Sequence, residues 1–265
     1  MTVTGLKKWA LILALLFIIH VTPLRAQATG PHSTVFGVGT TASGYASVAI
    51  GNYTIASGTG SLSTGYYTTA SGLFSTASGA YSVATGEYST ASGYESYATG
   101  YSSMAFGPQA TASGYGSVAF GPEAEASGFG SAAFGLSASI GWGSTAFGMS
   151  TSSGFGSTAF GVFTSASGQY STAFGYNVTA TALNSFAIGE YNVGGGNSTS
   201  WVGGDPLFEV GNGNSWATRS DALLVCKNGN TTVNGNLAVS GTGHVLTVNQ
   251  AGDLSMGTFT AGTPP

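Results

Sequence analysis

The chain has 265 residues, 44 of them glycine, with only 5% charged side chains and a formal net charge of −4. That charge content is far below the roughly 25% of an ordinary globular domain, while the apolar fraction is ordinary, which excludes the charged, core-poor composition of a disordered chain. Glycine recurs with a period of seven rather than three, which excludes collagen.

At the N-terminus, Lys7 and Lys8 precede an apolar run from Trp9 to Val21, then Pro23 and Ala26-Gln27-Ala28. This reads as a secretory signal peptide over residues 1–28, cut after Ala28. The other reading is an uncleaved anchor, although a run of about thirteen residues is short for a bilayer. No later segment has the apolar length of a membrane-spanning helix, so no integral membrane segment is expected after cleavage. Cleavage removes Lys7, Lys8 and Arg25 and leaves Arg219 and Lys227 against nine acids, a net of −7. Residues 29–218 contain no lysine or arginine, so the cations that neutralise phosphates are missing and nucleic acid is not an expected partner.

From Gly37 to Gly135 a glycine stands every seven residues; the spacing slips to six at Gly141 and Gly154. Serine keeps the longer period of fourteen, at Ser47, Ser61, Ser75, Ser89, Ser103, Ser117 and Ser131. Each period has two halves. Half A reads like Ser117-Val118-Ala119-Phe120-Gly121, and half B like Ala124-Glu125-Ala126-Ser127-Gly128. A coiled coil is excluded, because it needs apolar residues at a and d and helix formers between, and each glycine costs about 1 kcal/mol in a helix. Strand alternation fits, with Ser117 and Ala119 on one side and Val118 and Phe120 on the other. Gly107, Gly114, Gly121, Gly128 and Gly135 are the expected corners, where a positive φ is cheap. Two short strands and two corners make one turn of a flattened β-solenoid. About eleven turns over residues 29–190, stacked at about 4.8 Å, give a rod near 50 Å long.

The Ser/Ala side is small in every half and is assigned to the interior. The outer side of half B is mostly polar and irregular, as at Ser43, Thr111, Glu125 and Thr164. The outer side of half A carries Ile50, Phe106, Phe120, Phe134, Phe147, Phe160, Phe174 and Ile188, an apolar stripe that marks an interface. With so thin an interior, self-association is the expected way to cover it. The stripe weakens between Leu62 and Ser92, where looser packing is expected. The corner after half B carries a second row, Tyr101, Tyr115, Phe129, Trp142 and Phe155, read either as stacking between successive turns or as a ligand platform for a sugar.

The alternation of x-x-S-x-A-x-G with x-x-A-x-A-S-G, including Ser47-Val48-Ala49-Ile50-Gly51, resembles the head repeats of YadA-like trimeric autotransporter adhesins, the Hep/Hag repeat family, over about residues 33–189. The resemblance implies a left-handed parallel β-roll, three rolls joined in a homotrimer, and surface adhesion. Residues 191–257 are similar to the segment that follows such heads in many bacterial surface proteins. "LFEVGNG" and "ALLVCKNGNTTVNGNLAVSG" read as strands with Asn-Gly turns in a β-rich neck, before a disordered tail at 258–265. Cys226 lies in the apolar run from Ala222 and is expected to be buried. Fuller members carry a coiled-coil stalk and a membrane-embedded barrel. Here no heptads and no alternating ten-residue strands follow the head, so stalk and anchor are lacking from this sequence.

No convergent catalytic set is legible. Glu87, Glu95, Glu123 and Glu125 lie on polar turns with no base to pair with them, and His32 and His244 lie beyond opposite ends of the rod. Glu123 and Glu125 read as solubilising rather than Ca²⁺-binding, and no metal or cofactor is expected. The expected function is therefore a non-enzymatic, exported adhesin, at the cell surface or outer membrane or secreted, with an extracellular protein or glycan ligand. The alternatives are a phage-tail-fibre-like shaft, which the signal peptide opposes, and an ice- or glycan-binding solenoid, for which the outer B row is too irregular.

Overall fold

A computed structural model describes residues 25–235. The first 24 residues of the expected signal peptide, His244, the end of the expected neck and the tail lie outside the described residues. No helix occurs among the described residues.

Residues 27–190 form a parallel β-solenoid of about 12 turns, one more than the sequence period suggests. The extra turn comes from the N-terminal side. Gln27–Ala28 pairs in parallel with Thr41–Ala42, so the expected cleavage position falls at the end of the first half-B strand. A strands stack only on A strands and B strands on B strands, fourteen residues apart in most turns. Val48 pairs with Leu62, Thr111 with Glu125 and Phe120 with Phe134. Such a register places like residues over like at every step.

The interior is as small as the pattern requires. Ala49, Ala77, Ala105, Ala119 and Ala133 from A strands and Ala56, Ala84, Ala112 and Ala126 from B strands are wholly buried. Within the turns the largest fully buried apolar side chain is Val178. Apolar burial scales with area, so so thin a core supplies little per turn, and the backbone ladder carries much of the order. The period-fourteen serine closes the bend from B to A. Ser47 donates its N–H to the Gly44 carbonyl at 3.2 Å and its hydroxyl to the same carbonyl at 2.8 Å. Ser89, Ser144, Ser157 and Ser171 repeat the bond. At Ser61, Ser75, Ser103, Ser117 and Ser131 only the backbone N–H bonds the equivalent glycine carbonyl, and the hydroxyl is buried without a partner.

The corner glycines all leave no room for a Cβ, and only one set also needs a positive φ. Gly107, Gly121 and Gly135 end their A strands at φ of +126°, +134° and +87°. Gly114 and Gly128 sit at the opposite bend without a positive φ. Glycine is required there by space: a Cβ on Gly128 would meet the Gly141 carbonyl, 2.6 Å from its carbon. The left-handed residues at the A-to-B bend include Tyr53, Tyr67, Tyr81, Glu95, Gln109 and Glu123 and, beyond the short turns, Phe163 and Asn177, with φ between +52° and +58°. L-residues enter that region at a cost of about 1–2 kcal/mol, here offset by cross-turn hydrogen bonds such as Tyr67 N–H to the Asn52 carbonyl at 2.9 Å.

The two six-residue spacings fall at one place. In these turns the A-to-B bend loses its left-handed residue. The chain then runs on as one eight-residue strand, Thr145–Ser152, paired with the nine-residue strand Thr158–Ala166 across a register shift between Met149 and Thr151.

After the last turn only the A sheet continues. Pro206–Asn212 pairs in parallel with Phe186–Glu190, then antiparallel with Asp221–Cys226, which pairs with Thr231–Val233 around the Asn228-Gly229 turn. Cys226 is half-buried rather than enclosed, because it ends its strand where the chain turns outward. His32 is not beyond the rod. It occupies the left-handed position of the first B-to-A bend, edge-on to Tyr45 at 5.4 Å.

Candidate functional site

Four surface features stand on this scaffold. On the A face, alternation puts every second side chain outward. Phe120, Phe160, Phe174 and Ile50 are exposed, and Phe106, Phe134, Phe147 and Ile188 are half-buried by their neighbours. Phe134, Phe147, Phe160 and Phe174 stack in succession at 4.8, 5.4 and 5.1 Å. Phe120, one turn before this row, keeps 56% of its surface in solvent. Between Thr64 and Ser92 the stripe is polar, and Ser78 and Ser92 bond hydroxyl to hydroxyl at 2.9 Å.

At the B-to-A bend the second row stacks as like on like. Tyr101 lies on Tyr115 at 4.8 Å with the planes 9° apart, Tyr115 on Phe129 at 4.9 Å and 6°, and Phe129 on Trp142 at 5.5 Å. Phe155 meets Tyr170 edge-on at 5.4 Å. The aromatic ring moves between two adjacent bend positions. Where it takes the first, as at Tyr115 or Phe129, a glycine follows in the left-handed site; at Phe74, Tyr88 and Tyr170 the ring itself occupies that site.

The opposite bend carries an aromatic cluster that the sequence reading passes over. Tyr53, Tyr67 and Tyr81 stack at 4.7 and 5.5 Å, with Tyr66 and Tyr94 edge-on to Tyr67 and Tyr81. Its signal was present: the A strands that lose large outer residues at Thr64 and Ser78 gain tyrosines two or three residues later. The outer B row runs Thr111, Glu125, Ala138, Thr151, Ser165, Thr179, with no regular hydroxyl array. Thr164, expected on that row, is inside the roll: it stands four before Gly168, the interior position that buried Thr54 and Thr68 hold before Gly58 and Gly72, and the outer residue of its strand is Ser165.

The C-terminal end of the roll holds the buried charge. Glu209 occupies the interior position over Ala187, where its Oε2 accepts from Asn192 Nδ2 at 2.9 Å and its Oε1 from Gly194 N–H at 3.0 Å. Burial, and then the neighbouring Asp221 carboxyl, push Glu209 up to about 7. Burial also raises Asp221, against the Val193 N–H that donates to it at 3.0 Å. Arg219 donates to the carbonyls of Asn192 at 2.8 Å and Asn177 at 3.3 Å, with Trp216 stacked on its guanidinium. Every polar group in this set serves to close the end of the roll. Among the described residues no three His, Cys, Asp or Glu side chains come together as a metal cluster.

Two comparisons bear on these surfaces. The family model described as YadA head domain repeat (2 copies) matches residues 28–54, 56–82, 70–96, 84–110, 98–124 and 152–177. No curated protein matches the chain.

Proposed function

Because residues 28–177 of this chain belong to the YadA head repeat family, we propose that the protein is the exported, non-enzymatic head of a surface adhesin that works as a homotrimer. The number three is what the family implies. The observation that carries the self-association is the Phe134-Phe147-Phe160-Phe174 row. It is a continuous apolar row on the outside of a rod whose inside is alanine and serine. Soluble chains rarely leave such a row in water, and covering one Phe side chain stabilises by about 1.5–3 kcal/mol. Association along the A face leaves both bends and the B face free. A rigid rod then presents the same small surface once per turn and on each chain, so weak contacts add as avidity. The Tyr101-Tyr115-Phe129-Trp142-Phe155 row and the irregular B face are the surfaces offered to an extracellular protein or glycan.

The test is the mass of residues 29–265 in solution by light scattering, followed by attachment of protein-coated beads to matrix proteins and glycans. Three chains and saturable attachment support the reading. A stable monomer overturns the trimer, and trimers that attach to nothing overturn the adhesin.

A further inference from the structure

The two six-residue spacings create a site. Along the A-to-B bend every regular turn carries one left-handed residue, and these residues form a ridge that includes Tyr53, Tyr67, Tyr81, Glu95, Gln109 and Glu123 and resumes at Phe163. The turns through Leu136 and Met149 lack that residue, so the ridge is interrupted between Glu123 and Phe163. These positions are three turns apart, about 14 Å at the spacing of stacked strands. The gap is a cleft of about 300 Å³. Glu123 and Glu125 stand at one end and Phe163 at the other, with Leu136, Met149, Ala138 and Thr151 between them. Small Ala138 follows Glu125 in the B row and leaves the carboxylate open on that side.

Both ends of the cleft carry groups that the repeat would have satisfied. Elsewhere ridge neighbours engage each other: Gln109 donates to Glu95 at 3.0 Å, and Tyr53 stacks on Tyr67. Phe163 is covered by Tyr176 at 6.1 Å on the following turn, while its partner on the preceding turn is missing. Glu123 likewise has no ridge residue beyond it. Neither Glu123 nor Glu125 is in the ion pair found among the described residues, Lys227–Asp205, and no lysine or arginine occurs from residue 29 to 218.

We propose that this cleft receives an arginine side chain from a basic segment of an extracellular protein, an inference that rests on the adhesin reading. A guanidinium is planar, pairs bidentately with carboxylates and stacks on aromatic faces. It meets Glu123 and Glu125 at one end, its aliphatic stem lies along Leu136 and Met149, and a neighbouring arginine of the same segment stacks on the open side of Phe163. The protein's net of −7 after signal removal draws a basic segment toward it. Lysine fits less well, because an ammonium has no flat face for Phe163.

The experiment titrates the whole mature protein with a capped tetra-arginine peptide, tetra-lysine and an N-acetylglucosamine trimer. Affinity is read by calorimetry and location by the Met149 methyl signal in NMR. The tetra-arginine peptide is expected to bind, shift Met149 and weaken steeply with salt. Glu123→Gln with Glu125→Gln, Phe163→Ser, and one asparagine inserted after Leu136 and after Met149 to refill the ridge should each weaken it at least tenfold. All these side chains are exposed, and an unchanged unfolding midpoint verifies the fold of each variant. Equal affinity in the refilled variant, equal binding of tetra-lysine, or a Met149 shift produced by the saccharide alone overturns the proposal. Bead attachment is scored separately. If the beads fail to attach while the arginine peptide still binds at Met149, the adhesin reading falls and the cleft stands.

Discussion

The side-chain amide of Asn192 takes both hydrogen bonds that one more B strand would have made to Thr179. Its Oδ1 accepts from the Thr179 N–H at 2.8 Å and its Nδ2 donates to the Thr179 carbonyl at 2.9 Å. One amide thus imitates a peptide unit and ends the B stack, while the A stack runs on through Pro206–Asn212. Stacked repeats need such an end, since an open strand edge invites further pairing.

Replacing Asn192 with alanine leaves the half-buried Thr179 N–H and carbonyl and the Glu209 Oε2 without the partners Asn192 gives them. Orphaned buried groups cost about 1–3 kcal/mol each. The Asn192→Ala variant is expected to lose about 3 kcal/mol in denaturant unfolding, with protection of the Thr179 amide against hydrogen exchange lost first. Unchanged exchange at Thr179 counts against the cap.

The same end should respond to pH. Glu209 is held near 7 in the fold against an ordinary 4.5, so the folded state binds the proton more tightly than the unfolded one. Its contribution is full below about pH 4.5 and lost as pH rises through about 7, a difference of about 3 kcal/mol. Asp221 shifts in the same direction. Unfolding midpoints should be higher at pH 5 than at pH 8.5, and Glu209→Gln should remove most of that difference. A midpoint that rises with pH through this range contradicts the assignment.

Two glycines two residues apart should behave differently. Gly128→Ala drives a Cβ against the Gly141 carbonyl and should cost about 3 kcal/mol or prevent folding. Gly130→Ala meets nothing within 4 Å and bears only its φ of +61°, about 1 kcal/mol. Thermal midpoints of the two variants check the ranking.

The stripe and the corner row separate by mass. Phe120→Ser with Phe160→Ser removes apolar area from the A face and should turn trimers into monomers on a sizing column. Phe129→Ser, on the B-to-A bend, should leave the mass unchanged. If both sets give the same mass, the A face is not the interface.

The repeat was legible because a solenoid reuses one environment. Ala119 and Ser117 stand where Ala105 and Ser103 stood, so period and residue size alone assign inside and outside. The length of the rod was nearly legible. It missed one turn because Gln27–Ala28 reads as a leader's end as readily as a strand. The Tyr53-Tyr67-Tyr81 stack escaped because its residues occupy a left-handed bend position that ordinary residues seldom take, so a search of strand faces passes over it.

By itself, the sequence determined the strand alternation, the alanine and serine interior and the outward row of phenylalanines, since each follows from side-chain size at a fixed period. Only the tertiary structure decided which glycines need a positive φ and which need space alone, because that depends on the bend each occupies and on how closely Gly128 lies over Gly141. It alone turned two one-residue slips, near Leu136 and Met149, into a single cleft, because residues thirteen apart in sequence become neighbours only when successive turns stack.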